Sequence, residues 1–324
     1  MLTLGGAHAF RIAFTFALAV SWVAFGAGGS ASPRDERLEG LSGALRVTVA
    51  APGELVAYSG VPWDQRAPFE YRWVPELGPA AKRTAFAAHR QGFRVPSQAG
   101  AWRLELRRGI EIAKTDLVVI ATVPAARVRK GRLNGYHIGR YPVDRSMPPE
   151  YQLPSGFIEV TEANQDLFVS DHFQLRQFLT KDQRQVWPKY VVLDLRLVDK
   201  LELLLRELNT AHAPAKTLHV MSGYRTPQYN GRGGKGRARF SRHMYGDAAD
   251  VWIDSDRDGR MDDLNGDGKH DISDAQVLAS AVERLEEKYP ELTGGAAAYE
   301  ATSAHGPFVH LDARGRPARW SLRL

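Results

Sequence analysis

The first part of the chain alternates apolar and polar residues as β-strands do. The alternation covers residues 45–49 and 102–106 and is typical of half-buried antiparallel strands. Turn residues at 51–53 separate such runs. The continuous apolar run at residues 117–120 predicts a strand that is buried on both faces. We therefore predict a small all-β, sandwich-like domain over residues 32–123, with no catalytic residues of its own.

The second part of the chain changes to helical periodicity. Residues 124–165 are rich in Pro, Gly, Tyr and Arg, which predicts a linker that packs against the protein. Leucines spaced three and four apart then predict a helix over about residues 193–208, and a second apolar stripe follows a capping box at residues 273–276. A short apolar run at residues 218–221 predicts a strand. This mixture predicts an α+β domain over residues 166–324.

The N-terminal segment predicts export. Arg11 precedes an apolar run over residues 12–25, and small residues follow as far as Ala31, as in a secretory signal peptide over residues 1–31. An uncleaved anchor is the alternative, because the run is only a little shorter than a membrane span. Cleavage leaves a mature chain without a stable membrane span, exported to the periplasm or cell envelope.

Charge and composition set further limits. The 324 residues carry a formal net charge of +6, which favours encounter with anionic polymers such as nucleic acid, acidic membrane surfaces or cell-wall material. The chain has no cysteine, so any metal must be held by His, Asp or Glu. The basic, Gly-rich loop at residues 231–242 predicts a mobile lip that attracts an anionic substrate, or simply a solvated loop. Export directs the chain away from nucleic acid, so no nucleic-acid partner is predicted.

One stretch, Ser241-Arg-His-Met-Tyr-Gly-Asp-Ala-Ala-Asp250, carries candidate metal ligands. A catalytic metal needs three protein ligands and one open position, and His243, Asp250 and the distant His310 can supply the three. Gly246 lets the backbone pass close to a neighbour, and it falls on the same face of a predicted strand as Asp250. The sequence therefore predicts a metal site carved into a sheet.

Together with Ser222-Gly-Tyr-Arg225 and Val309-His310, this stretch resembles the zinc D-Ala-D-Ala carboxypeptidases and related peptidoglycan peptidases of the M15 group, over roughly residues 166–324. The resemblance implies the Hedgehog/DD-peptidase fold, with zinc held by His243, Asp250 and His310. It also implies that Arg225 faces the substrate's carboxylate or the developing oxyanion, for which a guanidinium is suited. Ser222 and Tyr224 are then the other substrate-binding residues of this loop.

The resemblance departs from the family pattern at the general base. Some members place a Glu three residues before the last ligand, where this chain has Pro307; others use a His five residues before it, where this chain has His305. An imidazole can take a proton from zinc-bound water and give it to the leaving amine, so we predict His305 as the catalytic base. A closed site with Asp312 as a fourth ligand is the alternative; we expect Asp312 instead to orient a ligand histidine.

A run of carboxylates after Asp250 predicts a second metal. Acidic residues at alternate positions before a glycine turn suit Ca²⁺, which takes six or more oxygen ligands. The repeat occurs twice and overlaps at Asp263 and Asn265, so one ion and two ions both stay open. The predicted structural calcium ligands are Asp254, Asp256, Asp258, Asp262, Asp263, Asn265, Asp267, Asp271 and Asp274.

These features predict an exported zinc metallopeptidase, a hydrolase that uses zinc-activated water to cleave peptide bonds in the stem peptides of peptidoglycan. A D-Ala-D-Ala carboxypeptidase and a crosslink endopeptidase both remain open, as do D,D and L,D specificity. The alternative is a catalytically inactive cell-wall-binding or scaffold protein that retains the peptidase fold. Peptidoglycan and muropeptides are the predicted partners, and the β domain is predicted to be a spacer or a wall-contacting module.

Overall fold

The computed structural model describes residues 46–64, 66–77, 82–144, 147, 151–210, 217–233 and 237–320. The predicted signal segment, residues 1–31, lies outside the described residues. From the first described strand onward the chain belongs to one compact unit. Within the described part of the chain, no helix is both long and apolar enough to cross a membrane.

The N-terminal part is built on a five-stranded sheet, in the order β1-β7-β6-β3-β4, with a separate two-stranded ribbon of β2 and β5. The first strand pairs with β7 in parallel, so the predicted antiparallel pairing is wrong at this edge of the sheet. In chain order the strands are β1 Arg46–Ala50, β2 Leu55–Val56, β3 Glu70–Pro75, β4 Ala87–Ala88, β5 Phe93–Arg94, β6 Gly100–Arg108 and β7 Glu111–Ala121.

The two faces of this sheet pack into different clusters. Leu117 and Val119 lie with Trp73 and Trp102 in one apolar cluster, which also takes in residues of the β2–β5 ribbon. Val118 and Ile120 project to the opposite face and join the large core of the C-terminal part. The prediction that residues 117–120 form a strand buried on both faces is therefore confirmed. One sheet with a ribbon, packed on the rest of the chain, stands where a sandwich of two sheets was predicted.

The predicted linker, residues 124–165, is packed down. Tyr136, Ile138 and Phe157 are almost completely buried in the large core. This region contributes β11 to a three-stranded sheet in the order β12-β11-β8, and it contains a small hairpin of β9 and β10. The strands are β8 Val123–Pro124, β9 Arg132–Leu133, β10 Tyr136–His137, β11 Gly156–Val160 and β12 Lys189–Val191.

The C-terminal part is an α+β layer whose central sheet has the order β13-β14-β16-β15-β17. Its strands are β13 Leu218–Ser222, β14 Ala248–Ile253, β15 Gly295–Tyr299, β16 Phe308–Asp312 and β17 Ala318–Arg319, and its helices are α1 Leu195–Thr210, α2 Pro227–Gly231 and α3 Ile272–Lys288. The predicted helix and strand at residues 193–208 and 218–221 are confirmed within two residues at their starts.

Helices α1 and α3 cover one face of the central sheet. The apolar stripe of α1 includes Leu197, Leu201 and Leu204, each fully buried, and each such side chain contributes about 1.5–3 kcal/mol relative to exposure. A buried ion pair between Lys200 and Glu286 joins the two helices, and the Lys200 Nζ also donates to the backbone oxygen of Asp312 at 2.7 Å. The helices are thus tied to β16, the strand that carries His310.

Candidate metal centre

The central sheet has one apolar face and one face that carries polar chemistry. Side chains alternate along a strand, so Val251 and Val309 point into the core with the helices while their neighbours point the other way. Asp250 on β14 lies directly opposite His310 on β16. This register brings together two side chains that are 60 residues apart along the chain.

The third residue, His243, comes from the turn before β14. A 3₁₀ turn over Arg242–Tyr245 ends at Gly246, whose φ is +77°. A Cβ at this position would overlap the carbonyl oxygen of Val192, so the predicted close approach of Gly246 is confirmed. The strand begins at Ala248, however, so Gly246 closes the turn. The prediction that Gly246 shares the strand face of Asp250 is therefore wrong.

The ligand atoms of the three residues converge on one point. The His243 Nε2 lies 3.2 Å from Asp250 Oδ1 and 3.2 Å from His310 Nδ1, and His310 Nδ1 lies 2.9 Å from Asp250 Oδ1. Tetrahedral zinc with bonds of about 2.0–2.1 Å places neighbouring ligand atoms roughly 3.3 Å apart. The observed spacing therefore fits a zinc ion on these three atoms, and all three residues are buried.

Hydrogen bonds fix which nitrogen of each ring can bind a metal. The His243 Nδ1 donates to the carbonyl oxygen of Gly223 at 2.7 Å, so its Nε2 carries the lone pair that faces Asp250. The His310 Nε2 lies 3.4 Å from Asp312 Oδ2, which leaves Nδ1 facing the same point. Asp312 is itself held by Arg314 and by the Gly295 N–H. Asp312 thus stands behind His310, where a carboxylate orients a ligand ring.

Burial and mutual charge set the protonation of the three groups. Burial raises the pKa of Asp250, but the neighbouring histidines and Arg225 outweigh it and hold the pKa of this carboxyl well below its ordinary value. Burial lowers the pKa of His243, which favours the neutral ring that binds metal. Burial also acts to lower the pKa of His310, yet hydrogen bonds to Asp250 and Asp312 raise it overall.

Arg225 lies at the edge of this cluster. Its Nη2 forms an ion pair with Asp250 Oδ2, and its Nε donates to Ser222 Oγ at 2.9 Å. Ser222 thus contacts the guanidinium of Arg225, which the resemblance predicts to face the substrate. Tyr224 is different: it is only 2% exposed, and its hydroxyl lies 3.0 Å from that of Tyr141. The structure places Tyr224 in the core, so the prediction that it binds substrate is corrected.

His305 lies in the segment that leads into β16, apart from the three clustered residues. Its Nδ1 donates to the carbonyl oxygen of Gly306 at 2.8 Å, and its ring meets the edge of Phe308 with 4.9 Å between ring centres. Because Nδ1 is the donor, Nε2 carries the lone pair and is the nitrogen that can accept a proton. The ring is half-buried, and the residues on either side of it, 301–304 and 306, are exposed.

Two aromatic residues near the cluster escaped the sequence analysis. The ring of Trp320 lies 5.4 Å from that of His310, and its Nε1 donates to the hydroxyl of Tyr299 at 2.9 Å. Neither residue belongs to a recognisable motif. Only the pairing of β15 with β16 and the return of the chain after β17 bring them to the site.

The acidic loop after β14 contains a cluster of three carboxylates that lie close enough together to share a metal ion. Oxygens of Asp254, Asp256 and Asp262 lie within 4.8 Å of one another. Asp271 and Asp274 instead form the capping box of α3, so the predicted box at residues 273–276 is wrong by two residues at its start. The remaining predicted ligands, Asp258, Asp263, Asn265 and Asp267, accept backbone N–H groups within their own turns.

Comparison with known proteins identifies a family for part of the chain. Residues 156–263 match the model of a family described as peptidoglycan L,D-endopeptidase MepK, Peptidase_M15_2. The match includes Arg225, His243 and Asp250 and ends before His305 and His310. No curated protein and no solved structure gives a significant match to the chain. The resemblance to the M15-type peptidases is thereby confirmed.

Proposed function

We propose that the chain is an exported zinc metallopeptidase that hydrolyses peptide bonds in peptidoglycan stem peptides, because residues 156–263 match the model of an M15-type peptidoglycan peptidase family. The observation that supports this most directly is the convergence of His243 Nε2, Asp250 Oδ1 and His310 Nδ1 within 4.8 Å. Three ligands of the nitrogen and oxygen type are the set used by catalytic zinc sites, which keep a fourth position for water or substrate.

Each residue around the metal has a proposed task. His243, Asp250 and His310 would hold a zinc ion, which would supply Lewis acidity toward water and a substrate carbonyl group. Asp250 carries negative charge and lies between two imidazoles and a guanidinium, so the ligand set stays compact. Arg225 provides a permanent positive charge for the substrate's carboxylate or for the oxyanion, and Ser222 orients it. His305 accepts a proton from the attacking water through Nε2 and returns it to the leaving amine.

The bond cleaved is proposed from the family. Its model is described as a peptidoglycan L,D-endopeptidase, so we favour crosslink endopeptidase activity with L,D specificity over D-Ala-D-Ala carboxypeptidase activity. We also keep the proposed organisation of the chain: a signal peptide at residues 1–31, a β domain at 32–123 that spaces the enzyme or contacts the wall, a linker at 124–165 and the peptidase at 166–324. An enzyme that acts on peptidoglycan works in the cell envelope, and we propose the periplasm as its location.

Digestion of purified sacculi tests the proposed function. The zinc-loaded protein is expected to release soluble muropeptides, and their masses, measured by mass spectrometry, identify the bond that was cut. Loss of a crosslink between stem peptides supports an endopeptidase, whereas loss of a terminal alanine supports a carboxypeptidase. Binding to sacculi without any released fragment would instead support the alternative function, an inactive wall-binding scaffold. The reason for this alternative is that Pro307 stands where some members of the family have a Glu base.

We further propose that Asp254, Asp256 and Asp262 hold structural Ca²⁺ between β14 and α3. Protein loaded with one equivalent of zinc is expected to melt about 3 °C higher in millimolar calcium than without it, given a dissociation constant on the order of 10⁻⁴ M. The Asp256→Asn variant should lose this calcium-dependent shift, whereas Asp166→Asn, at an exposed carboxylate paired with Arg176, should keep it. Identical melting curves of the native protein in both buffers would refute the calcium site.

A further inference from the structure

Tyr299 lies on the same face of the central sheet as the metal ligands. On β15 and β16, Ala297 is opposite His310, and Tyr299 is opposite Phe308. Residues directly opposite each other on antiparallel strands project to the same side, and so do Phe308 and His310, which are two residues apart. The Tyr299 side chain therefore rises beside His310 on the polar face, away from the helices.

Two contacts fix the position of the Tyr299 ring and hydroxyl. The ring stacks on Phe308, with 4.7 Å between ring centres and 3° between ring planes. The hydroxyl accepts a hydrogen bond of 2.9 Å from Trp320 Nε1, and the Trp320 ring in turn lies 5.4 Å from that of His310. A phenol that is held from two sides loses little further freedom when it binds a substrate.

The Tyr299 hydroxyl is left as a hydrogen-bond donor. An indole N–H can only donate, so Trp320 occupies a lone pair of the oxygen and leaves the phenolic proton uncommitted to it. Burial raises the pKa of Tyr299 and outweighs the hydrogen bond from Trp320, which lowers it; the negative charge of Asp250 raises it further, and Arg225 lowers it least of all. The group therefore keeps its proton at neutral pH.

We propose that the Tyr299 hydroxyl donates a hydrogen bond to the substrate oxygen on which negative charge develops when the scissile carbonyl is attacked, with Trp320 as the residue that positions it. The inference rests on the proposed peptidase function and assigns a second donor to the oxyanion beside Arg225. A preorganised donor aimed at developing charge stabilises the transition state more than the bound substrate. Removing it should lower kcat and leave KM nearly unchanged.

The test uses the zinc-loaded full chain and a crosslinked muropeptide substrate. Tyr299→Phe retains the ring that stacks on Phe308 and removes only the hydroxyl; kcat is expected to fall roughly 100-fold, with KM within about twofold and with unchanged zinc content. Affinity for a phosphinate analogue of the cleaved bond, measured by calorimetry, should fall by a similar factor. Trp320→Phe, which removes the N–H, should give a smaller loss of kcat. Tyr58→Phe, in the segment after β2 and bonded to Asp116, should match the wild type.

Three outcomes would overturn the inference: wild-type kcat and phosphinate affinity in Tyr299→Phe, an effect on KM alone, or a loss of activity that is accompanied by loss of zinc. Each of them, seen beside an active wild type, leaves the proposed peptidase function intact. A wild type that cuts no muropeptide overturns both.

Discussion

Replacing Asp250 with asparagine is expected to abolish zinc binding and peptide hydrolysis together. The carboxylate supplies the only negative charge among the three converging ligands, and its Oδ1 contacts both His243 and His310. An amide of the same shape leaves two imidazoles and Arg225 without an anion among them, and its NH₂ group cannot bind a metal. Zinc affinity should fall by more than the 10–100-fold that is typical of outer-shell changes.

Two measurements check this expectation: zinc content by atomic absorption after dialysis, and release of muropeptides from sacculi. Asp166→Asn is the matched control, because it makes the same chemical change at an exposed ion pair with Arg176. It should retain one zinc per chain and full activity. Stoichiometric zinc in Asp250→Asn would contradict this expectation, because it would show that zinc binds elsewhere in the protein.

Replacing His305 with alanine is expected to lower kcat by roughly 10²–10⁴-fold while zinc remains bound. The ring lies outside the three ligands, and its Nδ1 donates to the Gly306 carbonyl, which leaves Nε2 to handle the proton. The loop that carries it is exposed, so truncation of the side chain should leave the melting temperature within about 1 °C. Steady-state kinetics on a muropeptide and the zinc content of the purified variant provide the comparison.

His172→Ala provides the control for this variant, because His172 is an exposed histidine that contacts Glu202 on α1. Its kinetics should equal those of the wild type. An unchanged kcat in His305→Ala would remove His305 from the mechanism and leave the proton transfer to another group. The result also bears on Pro307. Some members of the family have a Glu base at this position, and His305 is proposed to replace it.

The predictions that succeeded depended on local patterns. The stripe of leucines in α1 repeats every three to four residues, and the run at 117–120 is uninterrupted, so each pattern specifies its own burial. The close approach at Gly246 was predicted correctly because a tight contact of the backbone excludes a Cβ wherever it occurs, although its place on the strand was not. The helix cap was misassigned by two residues, since Asp, Ser and Asp at 271–274 all can cap and their sequence does not rank them.

Two further errors concern neighbours that are distant in sequence. The parallel pairing of β1 with β7 and the burial of Tyr224 against Tyr141 depend on how whole elements pack, and alternation along one strand contains no information about its partner. The same reason explains why Tyr299 and Trp320 were missed. No motif contains them, and they reach His310 only through the strand order β14-β16-β15-β17.

The sequence by itself determined which chemistry this chain can carry: two histidines and an aspartate as the candidate ligands, an arginine in the loop after β13, and no cysteine. Residue type and short spacing decide these matters, because they set which atoms are available and how a turn or strand presents them. Only the tertiary structure decided that Asp250 lies opposite His310, which ring nitrogen faces the metal position, and that a tyrosine stands beside it. Those facts follow from strand register and long-range hydrogen bonds, which form only when segments far apart along the chain pack into one sheet.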